Sequence, residues 1–235
     1  MRKVPSVGSQ GYLPDPQPPN LGGYLHTTYF GPISWYRQLL SADSWAIDEG
    51  EPYVKQTTRN HCLIATVSGV QKLTVPVEKS RKEERGARND FSRNEPLLTR
   101  DVRISEHGKW RTEHWNALCT AYGESPFFDY YADDLRPFFE RRDWELLFDY
   151  NMAILEKMLE LLDAPSNLPQ LGEAANGLFS CGRTIKNAPL SSGRGVGGEA
   201  SYWQVYQRQN GFLPDLSILD LLCCMGPEAI LYLRN

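Results

Sequence analysis

The sequence predicts a mixed α/β fold, with a Rossmann-like, mostly parallel sheet and a helical C-terminal half. Three features of the sequence point there: a strand–helix–strand pattern near the N-terminus, short alternating segments after it, and a 3.6-residue apolar period that dominates from Arg111 onward. With 235 residues, 41% hydrophobic and 23% charged, the chain can bury a core without disulfides or a metal.

Residues 1–22 hold Pro5, Pro14, Pro16, Pro18 and Pro19 among Gly and Ser, and are expected to form a disordered arm. Residues 23–110 form the expected α/β sheet-forming region. The span Tyr24–Phe30, aromatic and β-branched, reads as a strand. Gly31-Pro32 breaks it, and Ile33, Tyr36, Leu39 and Leu40 then recur at helical spacing, with Pro32 where a first-turn proline is tolerated. Ser44–Asp48 is a second strand, so the opening reads as a βαβ unit. Cys62–Thr66 and Lys72–Val77, split by Ser68-Gly69, read as a hairpin. Residues 79–95, with a dense charge cluster from Lys79 to Arg88, read as a solvated loop, with contact to an anionic ligand as the alternative. Asp101–Ser105 is expected to be another strand.

Residues 111–235 form the expected helical region completing one domain. Trp115, Leu118, Cys119 and Tyr122 share a face until Gly123 and Pro126. Asp129–Glu140 is a second helix, bent near Pro137. Leu146, Leu147, Tyr150, Ile154, Leu155, Met158, Leu161 and Leu162 make the broadest apolar stripe, with Glu156 and Glu160 facing outward. Residues 163–201 lack any period and read as a long flexible loop. Tyr202–Gln207 reads as a strand. Ser217 caps a last helix, with Asp220 three residues on, and Gly226-Pro227 ends it.

Composition excludes several functions. A net charge of −4 gives no electrostatic case for nucleic acid. The five cysteines show no CxxC spacing, which argues against a disulfide framework and a structural zinc, and Cys223-Cys224 read as core. Four scattered histidines make no metal site. The N-terminus lacks a signal-peptide core, and no run of ~18 apolar residues occurs, so no transmembrane segment and a cytoplasmic location are expected. GxSxG, HExxH and GxxxxGK[ST] are missing, and Gly193–Gly198 lacks the strand and Lys-Ser/Thr of a phosphate loop. No cofactor is indicated.

The candidate site comes from topology. Ligands of open α/β sheets bind at the carboxyl ends of the strands. For the first strand that edge is Tyr29 to Pro32, an exposed aromatic leading into a helix N-terminus that favours an anion. For the second it is Asp48, followed by Lys55, Arg59 and Asn60. A lysine and an arginine four apart either clamp a phosphate or carboxylate, or merely pair with Asp48 or Glu51. His114, beside Trp110 and Trp115, is a candidate general base together with Asp48. His26 reads as a satisfied structural residue. Asp215 and Arg208 reach the site only if the tail folds back over the sheet edge.

Several segments resemble the WbqC-like family: Tyr29-Phe-Gly-Pro-Ile-Ser-Trp-Tyr36 with Ala42-Asp43, Lys55-Gln56 with Arg59-Asn60, Leu73-Thr-Val-Pro76, Trp110 with His114-Trp115, and Ser125-Pro-Phe-Phe-Asp-Tyr-Tyr131. The closing block, Gly211-Phe-Leu-Pro-Asp-Leu-Ser-Ile-Leu-Asp-Leu-Leu222 with Gly226-Pro227, is the most specific. Cys223-Cys224 and Gln207–Asn210 depart from the family pattern. The resemblance implies a place in surface-polysaccharide (O-antigen) biosynthesis, as a transferase of an acyl or aminoacyl group, glycyl among them, onto an activated sugar. Its partners would then be a small-molecule donor and a sugar-linked acceptor. Two alternatives stay open: a nucleotidyltransferase-like enzyme, although the paired histidines such enzymes carry are missing, and a non-enzymatic sugar-nucleotide binding or scaffold protein.

Overall fold

The computed structural model describes residues 21–41, 44–78, 96–164 and 201–234. Residues 1–20 of the expected arm, the Lys79–Arg88 cluster, Gly193–Gly198 and most of the 163–201 loop lie outside the described residues, whereas residues 21–22 of that arm open the first strand.

The opening βαβ unit forms. Strand β1 (Leu21–Leu25) and strand β2 (Ser44–Ile47) pair in parallel, with Leu25 opposite Ile47, and helix α1 (Ile33–Ser41) connects them. Leu25 and Ile47 are both buried. The sheet does not grow from there. β3 (His61–Thr66) and β4 (Gly69–Thr74) pair only with each other, antiparallel, from His61 opposite Thr74 to Thr66 opposite Gly69. Among the described residues, the expected Rossmann-like, mostly parallel sheet is therefore not formed, and two separate two-stranded sheets stand in its place. The reason is local. A parallel neighbour needs a crossover of a dozen residues or more, whereas the short Ser68-Gly69 turn permits only an antiparallel one. The expected strand over 101–105 is also replaced: Thr99–Asp101 winds into a 3₁₀ turn, and only single bridges, Val77 with Ile104 and Arg103 with Leu146, follow.

Helices supply the remaining layers: α2 (Trp110–Tyr122), α3 (Phe128–Leu135), α4 (Pro137–Glu140), α5 (Leu147–Leu161), α6 (Gln207–Asn210), α7 (Ile218–Met225) and α8 (Ala229–Arg234). The expected helix over 129–140 is two helices, because Pro137 starts a new one. The expected strand over 202–207 runs instead as turns into α6. Most of the predicted apolar stripe of α5 is buried, with Leu146 and Leu161 at its ends half-buried and Asn151 a polar residue among the buried ones.

The core is aromatic. Tyr29 lies 5.9 Å from Tyr150, ring to ring, and Phe30 stacks on Phe139 at 5.8 Å. Both Tyr29 and Phe30 are fully buried. The turn that places them is tight: Phe30 sits at φ 42°, and a Cβ on Gly31 would lie 2.4 Å from Thr28 Oγ1, so only glycine fits there.

Candidate functional site

The ladder of β1 and β2 continues one rung beyond the strands, where the Asp48 amide donates to the Leu25 carbonyl at 2.9 Å. Alternation then carries weight. Leu25 and Ile47 face the core, so the next residues, His26 and Asp48, turn to the opposite face, and both are half-buried. The segment after β2 folds back onto this edge. The Tyr29 amide donates to the Thr58 carbonyl at 2.8 Å, and His26 Nε2 lies 2.9 Å from Thr58 Oγ1. From below, Asn151 Nδ2 on α5 donates to Thr27 Oγ1 at 3.1 Å and to the Arg59 carbonyl at 2.8 Å. One α5 side chain thus pins the end of β1 to the 54–60 segment.

The predicted residues divide between this edge and the interior. Arg59 reaches Glu51 with both Nε and Nη2, the two side chains each 12% exposed, and its Nη1 donates to Thr57 Oγ1 at 3.2 Å. Of the two roles open to Arg59, the geometry gives pairing with Glu51, so its fork is occupied by a protein carboxylate. Lys55 is exposed. Asp48 Oδ1 accepts the Gly50 amide at 2.9 Å. Asn60 is buried, its Nδ2 donating to the Val75 carbonyl at 3.2 Å. Pro32 makes a single bridge with Ser217.

Tyr29 is not the exposed aromatic the sequence suggested, because its ring fills the core at 0% exposure. The α1 N-terminus does hold an anion, and it is the protein's own. The tail folds back, Asp215 Oδ1 accepts the Ser34 amide at 2.8 Å, and Asp215 Oδ2 accepts the Ser34 hydroxyl at 2.9 Å. A carboxylate there satisfies an amide that the helix cannot, so no vacancy is left for a ligand.

His114 lies inside, 5% exposed, with Nδ1 2.8 Å from the Tyr29 hydroxyl and the ring against Trp110. Desolvation by burial lowers its pKa to about 4, against a raising hydrogen bond to the Thr74 backbone. Burial pushes the Tyr29 hydroxyl well above its ordinary value. This pair bridges the β1–α1 connection to α2.

His26, which the sequence reading left as structural, stands instead at the open edge. Burial, and then the charge of Arg59, lower its pKa to about 4. Nε2 is held by Thr58, and Nδ1 makes no hydrogen bond to a described residue. The result is a half-buried, neutral imidazole held through one nitrogen. The available signal was its place immediately after the last core-facing residue of the strand. Among the described residues, no three His, Cys, Asp or Glu side chains lie together as a metal site. A separate surface pocket opens between the hairpin turn and α2.

Residues 27–174 match the WbqC-like protein family. The chain belongs to that family. No curated protein and no solved structure matches it. Membership in the WbqC-like family is compatible with a role in polysaccharide biosynthesis. No helix among the described residues is long and apolar enough to cross a membrane.

Proposed function

We propose that the chain is a cytoplasmic transferase of surface-polysaccharide (O-antigen) biosynthesis, moving an acyl or aminoacyl group, glycyl among them, from a small-molecule donor onto an activated sugar. The observation that carries this reading is His26, a half-buried neutral imidazole at the strand edge with one nitrogen tied to Thr58 Oγ1. Family membership supplies the biosynthetic context.

In this mechanism Nδ1 of His26, the nitrogen not tied to Thr58, accepts the proton of a sugar hydroxyl or amine as that atom attacks the carbonyl carbon of an ester or thioester donor. The tetrahedral intermediate collapses, the donor's oxygen or sulfur leaves, and it takes the proton back from His26. Arg59, neutralised toward ligand by Glu51, biases His26 toward its neutral form through its residual field. Lys55, exposed on the same segment, is the cation placed to meet a phosphate on the sugar carrier. Asp48 holds the 48–50 turn beside His26. Tyr29, Asn60 and Asn151 are positioning residues beneath this edge, and His114 is another, moved here from the base role that its sequence neighbours suggested.

The test is mass spectrometry of the surface glycan from a deletion strain, complemented with wild type or with His26→Gln. Loss of a defined acyl or aminoacyl mass, restored by wild type and not by His26→Gln, is expected. An unchanged glycan in the deletion strain removes the proposal.

A further inference from the structure

The pocket beside the hairpin has a volume of about 350 Å³, and its lining includes Val67, Ser68, Gln71, Asn116, Ala117 and Tyr206. This is a size at which pockets hold small ligands. None of the residues given roles above lines it.

Its walls are tied together. Asn210 Nδ2 donates to the Thr66 carbonyl at 2.8 Å, fastening α6 to the end of β3. The Tyr206 hydroxyl donates to the Thr120 carbonyl at 3.0 Å, fastening the same segment to α2. Thr66 and Thr120 spend their own hydroxyls on the Gly69 and Asn116 carbonyls, each at 2.8 Å. What remains uncommitted to any described residue is the Ser68 hydroxyl and the Gln71 and Asn116 amides. Around them lie apolar surfaces from Ala117, Tyr206 and Val67, the last 65% exposed. No lining residue carries a charge.

That combination has a chemical complement. A primary amide offers donors and an acceptor side by side, the pattern that adjacent sugar hydroxyls present in return. The apolar patches match the C–H face of a pyranose ring. A phosphate or carboxylate finds no countercharge. We propose that this pocket binds an uncharged stretch of glycan, the part of the acceptor remote from the reacting sugar. The acceptor's identity rests on the transferase reading, whereas glycan binding is measured without turnover.

The experiment applies the full chain to an array of bacterial surface polysaccharides and their oligosaccharide fragments, neutral and acidic. Retention of neutral glycans is expected. The Gln71→Ala/Asn116→Ala double variant should weaken it about 10-fold or more, since two hydrogen bonds are lost. Ser68→Tyr, which fills the pocket, should abolish it. All three positions are exposed, and circular dichroism checks that the variants keep the fold. Retention of acidic glycans alone, of no glycan, or undiminished binding by the double variant overturns the proposal. Glycan binding without any acyl transfer would uphold the pocket and sink the transferase.

Discussion

His26 and His114 share a depressed pKa of about 4 and differ in access. That difference separates base from scaffold. If His26 is the base, kcat/KM stays level from pH 7 to 5 and its acid limb falls near pH 4, well below the range of an ordinary histidine. A limb at pH 6.5 would assign the proton transfer to another group. Both shifts bear on stability, as His114 illustrates. Its folded pKa lies below its unfolded value of 6.5, so the unfolded chain takes up a proton that the folded chain refuses. The stability it contributes is present above pH 6.5 and is lost as pH falls toward about 4, an effect of order 3 kcal/mol. Buried Asp220, whose pKa is raised chiefly by desolvation, works in the opposite direction. The comparison that isolates His114 is therefore between urea midpoints of wild type and His114→Gln from pH 7 to 4.5, and the variant should show a shallower loss. Tyr29→Phe leaves His114 Nδ1 buried without its partner, and about 1–3 kcal/mol of stability should disappear in the same urea titration.

Helix α1 borrows its N-terminal cap from the far end of the chain. Asp215→Ala removes the acceptor of the Ser34 amide and should cost about 1 kcal/mol by chemical denaturation, while Asp215→Asn, which keeps one acceptor oxygen, should cost less. Equal stability in all three proteins would show that solvent serves the helix as well. A second element boundary depends on glycine. Gly226 ends α7 at φ 56°, and a Cβ there would meet the Phe127 ring at 2.5 Å. Which elements were readable follows from the same local chemistry. The βαβ opening, the hairpin and the α5 stripe each carry a period and a breaker within a few residues. Ser217 was readable too, since its hydroxyl accepts the Leu219 amide at 3.3 Å. Asp220 was not, because its carboxylate turns to Tyr202 and Gln204 rather than back toward the cap. Residues 101–105 and 202–207 have strand-like composition. Their backbone partners are scattered single contacts, and composition does not specify partners.

At the scale of the molecule, the candidate edge was readable as a place and misread in its occupants. The rule that ligands gather at strand ends pointed to the turn after β1, where the 54–60 segment does fold back. The strand, though, was extended to Phe30, whereas the ladder stops at Leu25 and the chain then dives into the core. That shift turned Tyr29 from a surface ring into a buried one and left His26 read as a structural residue inside the strand. Arg59's partner was likewise beyond reach, because choosing between a ligand and Glu51 requires knowing which carboxylate stands nearby. Asn151 spans the same edge from α5, and Asn151→Leu should leave Thr27 and the Arg59 carbonyl unpaired. A fall in melting temperature together with loss of turnover is expected, and a variant as stable as wild type would show that the cross-link is dispensable.

The Ser34–Asp215 bonds join residues 181 positions apart. In the same region Ile33 donates to the Leu216 carbonyl, Ser217 donates its hydroxyl to the Phe30 carbonyl, and Ile218 donates to the Gly31 carbonyl. As the ribosome works from the N-terminus, the first βαβ unit emerges long before the residues that complete its turn. Native closure of that turn must wait until residues 215–218 have left the exit tunnel, so nascent chains halted at residue 200 should remain sensitive to protease there.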